Sequence, residues 1–197
     1  MNRSNGSIAQ ESRKKFAMAL FELMKVYQYN EITVTQLAQE AELSRKTFYR
    51  LFNDKDEVLK QLFDILYEEF FSELTERGIK HYWDLVTLYF DFWERHKDQL
   101  VLLGQNNLLP KMFEYVYGNS EKIFIAVRTS EKASQFSKPL PYLLAYSVGG
   151  MHSMLIKWVE SDMMIPSSEL IIWMVLPSRR YMFLPVSIRI FFEYQIL

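Results

Sequence analysis

A short stretch of the chain concentrates cations and hydroxyls of the kind that bind nucleic acid. Residues 44–52 read Ser-Arg-Lys-Thr-Phe-Tyr-Arg-Leu-Phe. Helical spacing places Phe48, Leu51 and Phe52 on one inward face. The outward face then carries Arg45, Lys46, Thr47, Tyr49 and Arg50. Side chains of these types can bind base edges and phosphates in a major groove.

Such a face can enter a groove only if the preceding helix packs against this one at an angle and holds it in place. Thr33 and Gln36 have the spacing of a capping box, which predicts a first helix beginning after Thr33. Ser44 is a typical N-cap and predicts the start of a second helix. Only Glu42 and Leu43 separate the two helices, too few residues for an ordinary helical hairpin. The spacing favours a helix-turn-helix.

Each of these signals also occurs in ordinary helical hairpins, but their order and spacing together are specific. They resemble the DNA-binding domain of the TetR family of transcriptional regulators, over roughly the first sixty residues. The pattern is Thr-x-x-x-Leu-Ala-x-x-Ala-x-Leu-Ser-x-x-Thr-Phe-Tyr-x-x-Phe-x-x-Lys-x-x-Leu. It is matched by Thr33, Leu37, Ala38, Ala41, Leu43, Ser44, Thr47, Phe48, Tyr49, Phe52 and Lys55, and its final leucine position falls at Val58, directly before Leu59. Glu42 departs from it, since the family often has glycine in the turn. A non-glycine residue with positive φ costs about 1 kcal/mol.

The resemblance implies a homodimer that binds a palindromic operator on double-stranded DNA. Arg45 and Lys46 lie at the helix end that enters the groove, where Arg or Lys paired to guanine is the commonest specific contact. Thr47 suits a thymine methyl group, and Tyr49 suits a phosphate. The predicted DNA-binding residues are Thr33, Thr35, Ser44, Arg45, Lys46, Thr47, Tyr49, Arg50 and Lys55.

Composition predicts an all-α fold. The 197 residues include few glycines and prolines, with long stretches of 3.6-residue periodicity. The absence of cysteine excludes a disulfide framework, and the net charge of −1 excludes a general polycation. We predict a helix-turn-helix domain at 8–54, a helical regulatory and dimerisation domain at 55–176, and an atypical tail at 177–197. Helix 55–77 connects the two domains, as in the resembled family.

Periodicity also sets the expected helix boundaries. Helices are predicted near 8–27, 80–95, 97–106, 108–127, 140–162 and 167–176. Breaks are predicted at Gly104, Gly118–Asn119, 128–138 and 164–166. A polar start leads directly into an amphipathic helix, which favours a cytoplasmic protein that does not bind membranes.

Two further sites are predicted in the regulatory domain. A stripe of small and polar residues suits a dimer interface, consisting of Tyr146, Gly149, Gly150, Ser153, Met154 and Lys157. The alternative is that this stripe packs against a helix of the same chain. Apolar side chains that could line an effector cavity are Trp83, Tyr89, Phe92, Trp93, Phe113, Tyr117 and Met151. The alternative for each is the hydrophobic core.

Nothing in the sequence supports catalysis. The histidines are scattered, and no metal-ligand spacing, Gly-rich phosphate loop or nucleophile elbow is present. Asp84, Asp91 and Glu94 fall near one helical face, which suits either a carboxylate site or a solvated surface. We therefore expect no enzyme activity, no catalytic residue, no metal and no cofactor.

The sequence thus predicts a transcription factor, with two alternatives for its mode of action. The first is a ligand-responsive repressor controlled by a small apolar or amphipathic effector. The second is a TetR-like co-activator or protein-interaction module with a filled core and no small-molecule effector.

Overall fold

The computed structural model describes residues 3–127 and 138–172. Within these ranges the chain is helical and contains no strand, which confirms the all-α prediction. The elements in chain order are α1 (Arg3–Met24), the short 3-10 helix η1 (Tyr29–Glu31), α2 (Val34–Glu40), α3 (Arg45–Leu51), α4 (Lys55–Glu76), α5 (Tyr82–Arg95), α6 (Lys97–Gln105), α7 (Leu109–Val127), α8 (Leu140–Glu160) and α9, described over 167–172. None of these described helices has the length and apolarity needed to cross a membrane. The predicted tail at 177–197, the residues 128–137 and the end of the last predicted helix lie outside the described residues.

Two of the predicted helix breaks are wrong, because a single glycine interrupts a helix only weakly. Gly104 lies inside α6 and Gly118 lies inside α7. An interior glycine costs about 1 kcal/mol relative to alanine, which the packing of nearby buried side chains offsets. Helix α6 ends instead at Gln105. Two residues later, Asn107 adopts the left-handed conformation with a φ of 56°. The N–H of Leu108 then donates to the carbonyl of Leu103 at 2.8 Å, a common way to end a helix.

Two compact units divide the chain. The first contains the residues up to Glu69 together with Leu102–Tyr115. The second contains Phe70–Val101 and the described residues from Val116 onward. The dividing points fall within α4, α6 and α7, so each of these helices contributes residues to both units.

The core of the first unit positions the helix-turn-helix. Helix α1 packs on both α2 and α3. The ring of Phe16, which is completely buried, meets Phe48 edge-to-face at 5.4 Å and Phe52 at 5.8 Å between centroids. Edge-to-face aromatic pairs have a defined geometry and add to the stabilisation from burial. They therefore fix the inward face of α3 on α1.

The core of the second unit is also aromatic. Phe70 meets Phe92 edge-to-face at 5.4 Å, and Phe90 meets Trp158 at 6.0 Å between ring centroids. The indole N–H of Trp158 donates to the carbonyl of Ile165 at 2.8 Å, just after the end of α8. The Phe90–Trp158 pair therefore joins α5 to α8, and the Phe70–Phe92 pair joins α5 to the end of α4.

Candidate nucleic-acid interface

The two helices of the helix-turn-helix begin at the predicted caps. Thr33 Oγ1 accepts a hydrogen bond from the backbone N–H of Gln36 at 3.2 Å, and Gln36 Oε1 accepts one from the N–H of Thr33 at 2.8 Å. Ser44 Oγ accepts from the N–H of Thr47 at 3.0 Å. Each cap satisfies a backbone donor that has no partner inside its helix. The predicted starts of α2 and α3 are confirmed.

The turn between these helices uses a strained residue. Glu42 is exposed and has a φ of 54°, in the left-handed region that favours glycine. The N–H of Leu43 donates to the carbonyl of Ala38 at 2.9 Å and closes the turn. The departure from glycine therefore leaves the turn geometry intact, with the strain that the sequence predicts.

Helix α3 is anchored through its aromatic face. Phe48 is completely buried, Phe52 is buried, and Leu51 is half-buried. The guanidinium of Arg13 lies 4.9 Å from the centroid of the Phe52 ring, so α1 contributes a cation–π contact to the same anchor. This contact was missed by sequence reasoning, because residues 13 and 52 share no local spacing.

The opposite face of α3 carries free positive charge. Arg45, Lys46 and Arg50 are exposed, and among the described residues none of the three has a hydrogen-bond or ion-pair partner. Tyr49 is 56% exposed, and its ring contacts Phe48 edge-to-face at 5.3 Å. A helix face with unpaired cations and a packed aromatic base matches what a major-groove reader requires.

The hydroxyl residues predicted to bind DNA lie close to this face in the sequence. Thr33, Thr35 and Ser44 are exposed, and Thr47 is half-buried. The hydroxyls of Ser44 and Thr47 lie 2.9 Å apart and share a hydrogen bond. Each of these residues lies in α2, in α3 or at one of their caps, so the structure brings them to one motif.

Lys55, the remaining predicted DNA ligand, has partners inside the chain. Its ammonium group donates to the carbonyls of Tyr29 and Ile32, the latter at 2.9 Å, and lies 4.5 Å from the centroid of the Tyr29 ring. Burial lowers the pKa of Lys55, and nearby Lys111 lowers it further, against the opposing effect of Asp56. These contacts use two of the three ammonium donors and leave one for another ligand.

Lys55 belongs to a polar group that sequence reasoning missed, here named the Tyr29 cluster: Tyr29, Lys55, Asp56, Asn106 and Lys111. The hydroxyl of Tyr29 donates to Asp56, whose other carboxylate oxygen pairs with Lys111 at 2.6 Å. These hydrogen bonds from Lys111 and Tyr29 lower the pKa of Asp56. Burial and the carboxylate of Asp56 raise the pKa of Tyr29.

The candidate effector residues are distributed over both units. Tyr89, Phe92, Trp93 and Met151 are buried, Trp83 and Phe113 are half-buried, and Tyr117 is exposed. Phe113 belongs to the first unit and the others belong to the second. Trp93 contacts the rings of Phe92 at 5.4 Å and Tyr89 at 6.5 Å, so these three side chains form part of an aromatic core.

The candidate dimer residues lie along α8. Tyr146, Gly150, Ser153 and Lys157 are exposed, and Gly149 and Met154 are half-buried. A Cβ atom added at Gly149 or Gly150 would meet no described atom within 4 Å. Among the described residues, no helix of the same chain therefore packs closely on these glycines.

The acidic residues of α5 have a structural role. The hydroxyl of Ser167 donates to Asp91 at 2.7 Å, and its backbone N–H donates to Glu94 at 2.9 Å. These bonds cap the start of α9, whereas Asp84 is exposed. The described part of the chain contains no group of three or more residues suited to hold a metal ion.

The segment that contains the helix-turn-helix is similar to known bacterial regulatory proteins. Residues 19–62 match the family described as "Bacterial regulatory proteins, tetR family". A curated relative, the HTH-type dhaKLM operon transcriptional activator DhaS of Lactococcus lactis subsp. lactis (strain IL1403), is 28% identical over 136 residues. That alignment covers 58% of this chain and 71% of the relative. No solved structure matches the chain significantly.

Proposed function

We propose that the chain, whose residues 19–62 are similar to the tetR family of bacterial regulatory proteins, is a regulator of that family that binds a palindromic operator as a homodimer and acts as a ligand-responsive repressor. The observation that carries the operator-binding proposal is the face of α3, where Arg45, Lys46 and Arg50 are exposed and unpaired among the described residues. Their charges are held on a helix whose opposite face is anchored by the buried Phe48.

Base recognition is assigned to the start of α3. Arg45 and Lys46 follow directly after the cap at Ser44, and the first turn of a reading helix is the part that reaches base edges. Thr47 lies in the same turn and offers a methyl group to thymine. Arg50 adds charge on the exposed face one turn further along.

Phosphate binding is assigned to residues around the reading helix. Thr33, Thr35, Ser44 and Tyr49 are exposed hydroxyl residues on or next to α2 and α3. Such contacts position a protein on the duplex without reading its sequence. Lys55 contributes through its third ammonium donor while the other two remain bonded to Tyr29 and Ile32.

Dimerisation is assigned to the exposed stripe of α8. Because no neighbouring atom of the described residues would lie within 4 Å of a Cβ at Gly149 or Gly150, a helix of a second copy can approach these positions closely. A two-fold dimer presents its reading helices to successive major grooves about 34–36 Å apart. The predicted operator is accordingly a palindrome.

Control by an effector is assigned to the helical region after α4. An apolar or amphipathic molecule that binds one conformation better than the other would shift α4 and move the reading helices out of register. Coupling of about 1–3 kcal/mol is typical of such systems. The protein acts in the cytoplasm, where its operator is.

A second candidate is a transcriptional activator with a filled core and no small-molecule effector. The name of the DhaS relative describes an activator of an operon. The mutual contacts of Tyr89, Phe92 and Trp93 also favour a packed core at these candidate effector residues.

Selection from a randomised duplex library tests operator binding. The wild-type protein should enrich a palindromic sequence and protect it as a dimer. The double variant Arg45→Ala/Lys46→Ala should enrich none, whereas the control Lys122→Ala, which removes an exposed cation from α7, should enrich the same sequence. Failure of the wild type to enrich any sequence would contradict the proposal.

Two measurements separate the repressor from the activator. In a purified transcription assay on a promoter bearing the selected operator, the repressor lowers transcript yield and the activator raises it. In a thermal-shift screen of metabolites, a true effector raises the melting temperature and weakens operator binding together, because linkage is reciprocal. Enhanced transcription with no stabilising compound would favour the second candidate.

A further inference from the structure

The segment that leads into the helix-turn-helix is held from a distant part of the chain. Helix η1 ends at Glu31, two residues before Thr33, the N-cap of α2. The backbone N–H of Tyr29, its first residue, donates to the side-chain oxygen of Asn106 at 2.6 Å, across 77 residues of sequence. The orientation at which α2 begins therefore depends on where Asn106 lies.

The amide of Asn106 is itself fixed in place. It is 8% exposed, and its NH₂ group donates to the carbonyl of Leu102 at 2.9 Å. The corner that follows α6 is closed by the left-handed Asn107 and by the bond from Leu108 N–H to the Leu103 carbonyl. A buried amide with one bond on each side has a single orientation, so it transmits the position of the corner to Tyr29.

The rest of the Tyr29 cluster reinforces this contact. Asp56 at the start of α4 binds both the hydroxyl of Tyr29 and the ammonium of Lys111 at the start of α7. Lys55 binds the carbonyl of Tyr29 and the carbonyl of Ile32, one residue after η1. The short η1 segment is thus held through its N–H, its carbonyl and its side chain at once.

We infer that Asn106 is a positioning residue for operator recognition, which orients the helix-turn-helix through the N–H of Tyr29. The inference rests on the proposed operator binding. Helices α6 and α7, which flank the corner, continue from the first unit into the second. A small displacement of the corner lengthens a 2.6 Å hydrogen bond, whose strength falls steeply with distance and misalignment.

The test compares Asn106→Ala with the control Gln105→Ala, which removes the exposed neighbouring amide. Full-length proteins are titrated against the operator selected by the wild type and against operators whose half-sites are one or two base pairs closer or farther apart. Each added base pair moves the half-sites about 3.4 Å along the axis and rotates them relative to each other. Circular dichroism at the assay temperature confirms that each variant is folded.

The preference for half-site spacing distinguishes a positioning role from a loss of stability. Asn106→Ala should lose on the order of tenfold in affinity for the native operator, a size typical of coupling between sites. It should also lose most of its preference for the native half-site spacing, while its affinity for unrelated DNA stays within twofold of the wild type. Gln105→Ala should retain both the affinity and the spacing preference.

Further variants keep the result decisive. Asn106→Asp retains an acceptor for the Tyr29 N–H but loses the donor to the Leu102 carbonyl, so it should restore only part of the spacing preference. Lys111→Met breaks the exposed ion pair with Asp56 without disturbing the core, so it serves if Asn106→Ala does not fold. Unchanged spacing preference in the folded variants would overturn the positioning role alone. A wild-type protein that selects no operator would overturn the proposed function and this inference with it.

Discussion

Lys55→Met separates two roles that one ammonium group is predicted to fill. The substitution keeps an unbranched apolar side chain of similar length but removes the hydrogen bonds to the carbonyls of Tyr29 and Ile32. Hydrogen bonds to charged groups contribute about 1.5–3 kcal/mol each. Lys55 is only half-buried, and desolvation of its ammonium, seen in its lowered pKa, offsets part of that gain. We therefore expect a total loss of about 2 kcal/mol in the free energy of unfolding.

Thermal or urea unfolding measures the first role. For a protein of this size, a loss of about 2 kcal/mol lowers the melting temperature by roughly 4–8 °C. A salt titration of DNA binding measures the second role, because each phosphate contact contributes about one unit to the slope of log K against log salt concentration. The slope should fall by about one unit for the selected operator and for unrelated DNA alike.

Lys46→Met is the matched control, since Lys46 is exposed and has no partner among the described residues. It should weaken operator binding with almost no change in the unfolding transition. If Lys55→Met left the unfolding free energy unchanged, the reasoning from its internal hydrogen bonds would be refuted. If instead the salt slope stayed at the wild-type value, the phosphate role of Lys55 would be wrong.

Three further predictions concern single positions. Arg45→Ala or Lys46→Ala should cost roughly 1–3 kcal/mol on the selected operator and relax its sequence preference, measured by anisotropy against single-base operator variants. Glu42→Gly should raise the unfolding free energy by about 0.5–1 kcal/mol, because relief of the left-handed strain exceeds the entropy cost of glycine; Glu42→Ala, which keeps the strain, should bring no such gain. Asp56→Asn should lower the unfolding free energy by up to about 1 kcal/mol at pH 7, given the exposure of its ion pair. Because the folded-state pKa of Asp56 is lowered, its contribution is present above the unfolded-state pKa and is lost as pH falls, so the difference from wild type should shrink below about pH 4 in acid unfolding experiments. A difference that widened in acid would contradict the assignment of this carboxylate.

The parts of the site that follow local rules could be predicted from the sequence. The caps at Thr33 and Ser44 depend on neighbours within three residues, so their spacing is visible in the chain. The burial of Phe48 and Phe52 follows from helical periodicity in the same way. The strain at Glu42 was predictable because the resembled pattern has glycine in that turn.

The parts that depend on tertiary structure could not be predicted. Gly104 and Gly118 indicate breaks by propensity, yet packing keeps both within helices. The consecutive residues Asn106 and Asn107 were a local signal for the true end of α6, since asparagine tolerates the left-handed conformation. The bond between Asn106 and Tyr29 joins residues 77 positions apart, and no periodicity indicates such a pair.

Leu102–Tyr115 belong to the first compact unit, and this limits how a chimera of this protein with another regulator can be built. A chimera that transfers only residues 1–54 would separate the buried N–H of Tyr29 from Asn106 and its hydroxyl from Asp56. A buried donor left without an acceptor costs about 1–3 kcal/mol. The unit that contains the helix-turn-helix is therefore discontinuous in sequence, and a graft intended to keep the proposed operator specificity must carry the corner between α6 and α7 as well. For the same reason, we expect the residues of η1 and of this corner to covary among related regulators.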